Sequence, residues 1–299
     1  MKTDILKERL RNRNISFCEN KSFKNLTSFK TGGEASLVLY PENAEEIIFI
    51  RETAKNENIP LIILGKGSNC LAPDEFFDGM VVVTKESFNK IFVEGSCLTA
   101  ESGASLSAMA LLARDKGLSG LEFSYGIPGT LGGAVLMNAG AYGGEIKDVI
   151  RSVTYLDENN QIHTIENEAC LFDYRTSIFD ENDYFILSAE ISLKEGNKEE
   201  IESCMEEILA KRRDKQPLEY PSAGSGFKRP QGYFAAALID ECNLKGLTVG
   251  GAQVSEKHAG FIINRDNATS ADIKELCKRV HDIVLKEKQV DLETEIRFL

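Results

Sequence analysis

The 28 residues from Gly117 to Gly144, GLSGLEFSYGIPGTLGGAVLMNAGAYGG, carry nine of the chain's 24 glycines. Even spreading would put about two there, so this backbone repeatedly needs conformations or close approaches that a Cβ forbids. Within it, Gly126-Ile127-Pro128-Gly129-Thr130 combines a rigid turn with permissive flanks, and Leu131 to Met137 adds an apolar wall with small side chains. Successive amides of such a turn can point into one concavity and bind phosphate oxygens. They would do so unaided, because no basic residue lies between Lys116 and Lys147. A long ligand lying along backbone and a cluster of turns that only packs a bend both remain open.

A second candidate cradle is Gly65-Lys66-Gly67-Ser68-Asn69, which follows the short apolar run Leu61 to Leu64. Gly65 and Gly67 begin a GxGxxG, but Cys70 stands where the third glycine belongs, and Pro73 interrupts the helix that should follow. A Rossmann dinucleotide site is therefore a poor fit. Backbone amides, the Ser68 hydroxyl and the Asn69 amide could still hold phosphate; a simple strand-ending turn is the alternative.

The elements around these turns alternate. A short polar helix is expected to end near Asn14, a strand runs over 35–40 and a helix over 44–58, with further strands at 61–64, 79–83, 90–93 and 97–102. Ser105 opens a helix that Gly117 stops. After the glycine-rich stretch comes a hairpin of 149–156 and 161–165 around Asp157-Glu158-Asn159-Asn160, then a strand over 184–193. A boundary is expected near Lys194 to Lys198. Beyond it stand a helix through Ile201, Met205, Ile208 and Leu209, a loop over 216–232, a further helix, strands near 249–254 and 260–264, a helix capped by Ser270, and a final strand from Leu292.

Length and composition set limits. At 299 residues, about two domains with real cores are possible. With 35 basic against 47 acidic residues, the net charge of −12 argues against nucleic acid as a partner. No apolar run approaches the roughly 20 residues of a membrane helix. The first fourteen residues are charged throughout, so a cytoplasmic location is expected. Seven scattered cysteines without a CxxC pair, and only three histidines, give no basis for a metal site or a disulfide frame.

Seven strings in order resemble the UDP-N-acetylenolpyruvoylglucosamine reductase family, in its shorter type II subgroup, from about Leu26 to Leu299. They are TSFKTGGEA at 27–35, LGKGSN at 64–69, GIPGTLGGAVLMNAGAYGGE at 126–145, DYRTSIF at 173–179, YPSAGSGFKRP at 220–230, VGGAQVSEKHAGFIIN at 249–264 and ETEIRF at 293–298. The resemblance implies an α+β protein: an N-terminal helical segment (1–24), a two-part FAD-binding domain of the vanillyl-alcohol-oxidase type (25–196) and a C-terminal substrate domain (197–299). It implies FAD and NADPH as cofactors, and reduction of UDP-N-acetylglucosamine enolpyruvate, a small UDP-sugar enol ether, to UDP-N-acetylmuramate by a monomer. Gly65, Lys66, Gly67, Ser68 and Asn69, with Gly126, Ile127, Pro128, Gly129 and Thr130, would wrap the FAD pyrophosphate. Gly132, Gly133, Asn138 and Gly140 would lie close to the cofactor, and Tyr125 would shape the flavin side of the pocket.

The same resemblance makes Arg175 the stabiliser of an enolate-like intermediate, Ser225 the proton donor and Glu295, protonated, an assistant at the substrate carboxylate. Lys215, Lys228 and Arg229 surround the serine loop and would suit a diphosphate; a solvated basic rim is the competing explanation. His258 is expected to be structural, at the entrance of a strand. Two positions depart from the family pattern: Gly226 stands where a larger residue is usual, implying a looser backbone, and Lys66 where a small or polar one is common. An FAD oxidase of the same fold, and a nucleotide-sugar-binding relative without catalysis, are the rival readings.

Overall fold

The computed structural model describes residues 2–299, so Met1 of the expected N-terminal segment lies outside the described residues. The chain divides into two compact units. The first takes residues up to Glu19, Leu37–Lys66 and Gly79–Ala210; the second takes Asn20–Ser36, Gly67–Asp78 and Lys211–Leu299. The division expected at 196/197 thus falls at 210/211, and two stretches from the N-terminal third join the C-terminal unit.

The first unit has two cores, in keeping with a two-part domain. One gathers Leu37, Leu39, Ile47, Ile50, Met80 and Val82, where the helix Ala44–Glu57 packs beside the strands Glu34–Tyr40, Phe77–Val83 and Leu61–Leu64. The last two strands pair in parallel, with Leu64 opposite Val83. Asn43 starts the helix by accepting the Glu46 amide on its side chain, and Asn58 ends it in the left-handed region.

The other core lies on an antiparallel five-stranded sheet, ordered Ile162–Glu166, Ile150–Leu156, Phe185–Ser192, Cys97–Glu101 and Ile91–Glu94. Leu106, Met109, Ala110 and Ala113 of the helix Leu106–Asp115 and Leu131, Ala134 and Val135 of the helix Leu131–Leu136 fill it. The helix face and the hairpin at 157–160 match the periodicity read from the sequence.

The second unit is built on the antiparallel sheet Ser222–Ser225, Phe261–Asn264, Ala252–Val254, Thr248–Val249. The helix Ser270–Lys288 supplies Ile273, Leu276, Cys277, Val280 and Val284 to its core. Phe29 and Leu71 belong to the same core. Those early residues are tied in by Thr31 Oγ1, which donates to Ala268 O at 2.6 Å, and by Asn264 Nδ2, which donates to Phe29 O at 2.9 Å.

Four local expectations change. The first helix is Lys2–Asn12, and the residues after it form a strand, Ser16–Ser22. The loop expected over 216–232 contains the strand Ser222–Ser225. The cap of the last helix is Thr269: its hydroxyl accepts the Asp272 amide and Asp272 accepts the Thr269 amide, a capping box that leaves Ser270 inside the helix. The final strand is only Arg297–Phe298, parallel to Cys70–Leu71.

Burial pushes the thiols of Cys70, Cys170 and Cys277 up to about 12, so they serve as small hydrophobes. No described helix is long and apolar enough to cross a membrane.

One charge is built into the first unit. Arg51, 7% exposed, donates from Nε to Asn160 Oδ1 at 2.7 Å and from Nη2 to the Asp157 and Asp183 carbonyls, each at 2.9 Å. It thereby fastens the helix Ala44–Glu57 to the hairpin turn. Arg51→Ala strips those acceptors of their donor and should lower unfolding free energy by about 2–4 kcal/mol. Urea unfolding checks this, and an unchanged midpoint would show that the guanidinium is dispensable.

Candidate active site

In the first unit, Gly65, which opens one of the glycine turns foreseen in the sequence, meets Thr130, which ends the other. Gly65 leaves the Leu61–Leu64 strand so close to Thr130 that a Cβ on residue 65 would lie 2.1 Å from Thr130 Oγ1. The Thr130 segment is clamped in turn. Leu106 N donates to Gly129 O at 3.2 Å, Leu131 N to Ala104 O at 2.9 Å and Gly132 N to Ser102 O at 2.7 Å. The Gly65 turn is not clamped in that way: among the described residues the amides of Lys66, Gly67 and Ser68 donate to no backbone carbonyl. Gly67 itself has φ +61° and packs on Leu26 O, where a Cβ would come within 2.3 Å. Backbone amides left unpaired at a turn can hold an anion.

The glycine-rich stretch also reaches Arg175. Tyr174 and Arg175 cap a tight turn closed by Asp173 and Thr176, and Arg175 sits at φ +58°, a strained conformation for a non-glycine residue. Its Nη2 donates to Gly140 O at 3.4 Å. Ser177 Oγ anchors the turn by donating to Leu136 O at 2.7 Å.

Asn138 ties the two pieces together. Its Nδ2 donates to Asp173 O at 3.1 Å and to Glu145 Oε2 at 3.0 Å, and its Oδ1 accepts the Lys147 amide at 3.0 Å. The Lys147 ammonium, the Asn138 amide and, more weakly, the Arg175 charge hold the Glu145 carboxyl below its usual range. Both amide hydrogens and one acceptor position are thus engaged inside the protein.

The glycines of the motif divide in the same way. A Cβ at Gly132 would press on Ser102 Cβ at 2.9 Å and one at Gly140 on Glu145 Cγ at 2.6 Å, whereas one at Gly133 would meet nothing nearer than Thr130 Oγ1 at 3.8 Å. Gly133 is exposed, and Tyr125, Gly126 and Ile127 are half-buried, Tyr125 and Ile127 packing on the core.

In the second unit, Ser225 ends a strand whose register slips between Ser222 and Ser225, with Gly224 at φ +77°. Such a bulge turns a side chain away from the regular pleat. The neighbouring Gly226 donates to Gly260 O at 2.8 Å and accepts from Glu295 N at 2.9 Å, so the segments of Ser225 and Glu295 are joined through it. Asn69 lies against the same segment: its Nδ2 donates to Glu295 O at 3.2 Å and its carbonyl accepts Arg297 N at 3.0 Å. The backbone at Gly226 is paired on both sides and a Cβ there would come within 3.0 Å of Ile262 Cγ1, so the glycine marks a close strand approach rather than a loose one.

The three basic residues have separate settings. Lys228 Nζ pairs with Glu293 at 2.5 Å, Arg229 stacks 4.6 Å over the Phe234 ring, and Lys215 closes the helix Lys198–Lys215.

A family model described as the C-terminal domain of UDP-N-acetylenolpyruvoylglucosamine reductase matches residues 216–299, and one described as an FAD binding domain matches 35–166. The UDP-N-acetylenolpyruvoylglucosamine reductase of Caldanaerobacter subterraneus is 47% identical over 296 residues, covering 99% of this chain and 97% of that one. The chain belongs to the UDP-N-acetylenolpyruvoylglucosamine reductase family. The crystal structure of the Thermus caldophilus UDP-N-acetylenolpyruvylglucosamine reductase is similar with a TM-score of 0.80 and 34% identity, covering 95% of this chain and 98% of that one. Cholesterol oxidase from Brevibacterium sterolicum, at 14% identity and a TM-score of 0.50, covers 61% of this chain and 38% of its own, a likeness of fold alone.

Within this reductase family member, His258 is structural. Its Nδ1 accepts the Gly260 amide at 3.1 Å and its ring stands edge-on to Phe261 at 5.0 Å. Residues that sequence reading passed over are Glu145 and Asp173, which position the Arg175 turn, and Ser102, beneath Gly132. Glu145 and Asp173 stand at the ends of the strings 126–145 and 173–179, a signal that could have found them, whereas Ser102 lies outside every string.

Burial, with the Lys245 and Lys215 charges adding to it, lowers the His258 pKa from its ordinary value. The unfolded chain therefore takes up the proton first, and the folded state loses stability as pH falls below about 6.5. His258→Asn keeps an acceptor for Gly260 but cannot titrate. Its thermal midpoint should fall less than the wild type's between pH 7.5 and 5.5; parallel curves would exclude a neutral buried imidazole.

Proposed function

We infer that this chain is an FAD-dependent oxidoreductase that uses NADPH to reduce UDP-N-acetylglucosamine enolpyruvate in the synthesis of peptidoglycan precursors. The observation that carries the reading is the interlock of Gly65 with Thr130, residues 65 apart in sequence that open one glycine turn and end the other. The cradle fits the cofactor. Lys66, Gly67 and Ser68 present unspent amides, Gly133 leaves an open approach, and no described basic side chain between Lys116 and Lys147 is needed for charge.

Gly65 to Asn69 and Gly126 to Thr130 would hold the pyrophosphate, with Tyr125 and Gly133 beside the cofactor; Gly132, Asn138 and Gly140 shape the backbone around it. When bound, FAD supplies the hydride chemistry that takes reducing equivalents from NADPH to the enol ether. The protein's own groups do the rest. Arg175, held in a strained turn by Ser177 and Asn138, would present its planar fork to the negative charge that spreads onto the substrate carboxylate. Ser225, turned out at its bulge, would donate a proton to the carbon next to that carboxylate. A hydroxyl is a weak acid, but a carbanionic carbon is a strong base, so position matters more than acidity. Glu295, fixed through Gly226 and Asn69, would assist at the same end of the substrate.

Lys215, Lys228 and Arg229 would serve the diphosphate, Lys228 by exchanging Glu293 for phosphate oxygens. The C-terminal segment 197–299 would then be the substrate domain. We extend the reading to a cytoplasmic monomer, and light scattering on the purified chain tests the second part.

The deciding experiment follows the flavin absorption. NADPH under anaerobic conditions should bleach it, and the enol ether should restore it; recovery with oxygen alone would make the protein an oxidase, and absence of flavin would remove the cradle's assignment. Ser225→Ala should bleach at the wild-type rate but recover about 10²–10⁴-fold more slowly with substrate. Equal loss in both half-reactions would refute the proton-donor role.

A further inference from the structure

Ser102 lies in the first unit under the clamped end of the cradle. It is 4% exposed, and its backbone is fully used: its amide donates to Leu187 O at 2.9 Å and its carbonyl accepts Gly132 N at 2.7 Å. Its hydroxyl oxygen is buried and has no hydrogen-bond partner among the described residues. Equally buried serines of the same unit find acceptors: Ser124 Oγ donates to Leu121 O and Ser177 Oγ to Leu136 O, each at 2.7 Å. An orphaned buried hydroxyl carries the desolvation cost of a lost hydrogen bond, and native proteins keep one where a partner arrives later or function needs it.

The position says which partner. The chain passes from Ser102 through Gly103, whose amide donates to Phe88 O at 2.7 Å, to Ala104, whose carbonyl accepts Leu131 N at 2.9 Å. Ser102 and Ala104 thus grip both sides of Leu131 and Gly132, next to the Thr130 that meets Gly65. Neither partner segment offers the hydroxyl an acceptor.

We propose that the Ser102 hydroxyl is a cofactor-binding group, donating its hydrogen bond to FAD. The proposal rests on the FAD reading above and adds a residue outside the glycine strings. The bond exists only in the holoprotein, so removing the hydroxyl has opposite effects on the two forms. Without flavin, the variant loses nothing but an unsatisfied group; with flavin, it loses a real interaction.

The test uses the full chain and Ser102→Ala, with thermal midpoints recorded in flavin-depleted protein and at saturating FAD, and FAD affinity from flavin fluorescence. The variant's flavin-depleted midpoint should equal or exceed the wild type's, its saturated midpoint should fall below it, and its FAD affinity should drop about tenfold. Release of FAD from the holoprotein on dilution should be faster by about the same factor, a reading that needs no flavin-depleted form. An unchanged FAD affinity and release rate, or equal midpoint shifts in both forms, would make the hydroxyl merely structural and overturn the proposal. A wild type that gains no stability from FAD would instead sink the FAD reading itself.

Discussion

Residue 65 has no room for a side chain, and much of the first unit exists to enforce that. The Leu61–Leu64 strand is set by parallel pairing with Phe77–Val83, so the direction in which Gly65 leaves it is not adjustable. Thr130 is held from the other side by the hydrogen bonds of Gly129, Leu131 and Gly132 to the segment 102–106. Two rigid supports therefore press two turns together at Gly65, where a Cβ would lie 2.1 Å from Thr130 Oγ1. Rigidity is what makes the contact useful: a cradle of amides binds anions well only if the amides are already aligned, since ordering them on binding would consume the gain. The same logic explains the direction of spending. Hydrogen bonds go into holding the Thr130 side, and among the described residues the amides of Lys66, Gly67 and Ser68 donate to no backbone carbonyl.

The second unit solves a different problem with similar means. Ser225 and Glu295 come from segments 70 residues apart, and neither belongs to a long regular strand. Gly226 links them by pairing with Gly260 on one side and Glu295 on the other, and Asn69 bonds Glu295 from a third segment. The bulge at Gly224 lets Ser225 leave the pleat without disturbing the pairing of Ser222 with Ile263. Lys228 and Glu293, paired two residues away on the same two segments, reinforce the match at the exposed edge.

How much of this was legible depends on whether the controlling interaction was local. The helix Leu106–Asp115, the hairpin at 157–160 and the two glycine turns announce themselves by periodicity and by residue type, because each is decided within a few residues. The strand Ser222–Ser225 is not: SAGS has no apolar alternation and becomes a strand only through Phe261–Asn264. Ser16–Ser22 likewise reads as polar and irregular. The cap of the last helix went to Thr269 rather than Ser270 because Asp272 completes a box with the former, while Ser270 is engaged by Ala72 and Asp74 from a remote part of the chain. Nor could any local pattern assign 20–36 and 67–78 to the C-terminal unit, since Phe29 and Leu71 enter its core by long-range packing.

Membership in a motif says that a residue matters without saying for what. Gly132, Asn138 and Gly140 stand in the same string as Gly133, yet the first makes room for Ser102, the second spends its amide on Asp173, Glu145 and Lys147, and the third makes room for Glu145. A Cβ at Gly133 would meet nothing nearer than Thr130 Oγ1 at 3.8 Å. What separates a residue that shapes the site from one that addresses a ligand is therefore unspent capacity: free volume at a glycine, a donor without an acceptor, an amide outside the ladders. By that measure Asn138 inside the motif has its side chain engaged within the protein, and Ser102 outside it keeps a donor unspent. The polar atom left unsatisfied in a buried place is the more informative observation, because folding alone would have eliminated it.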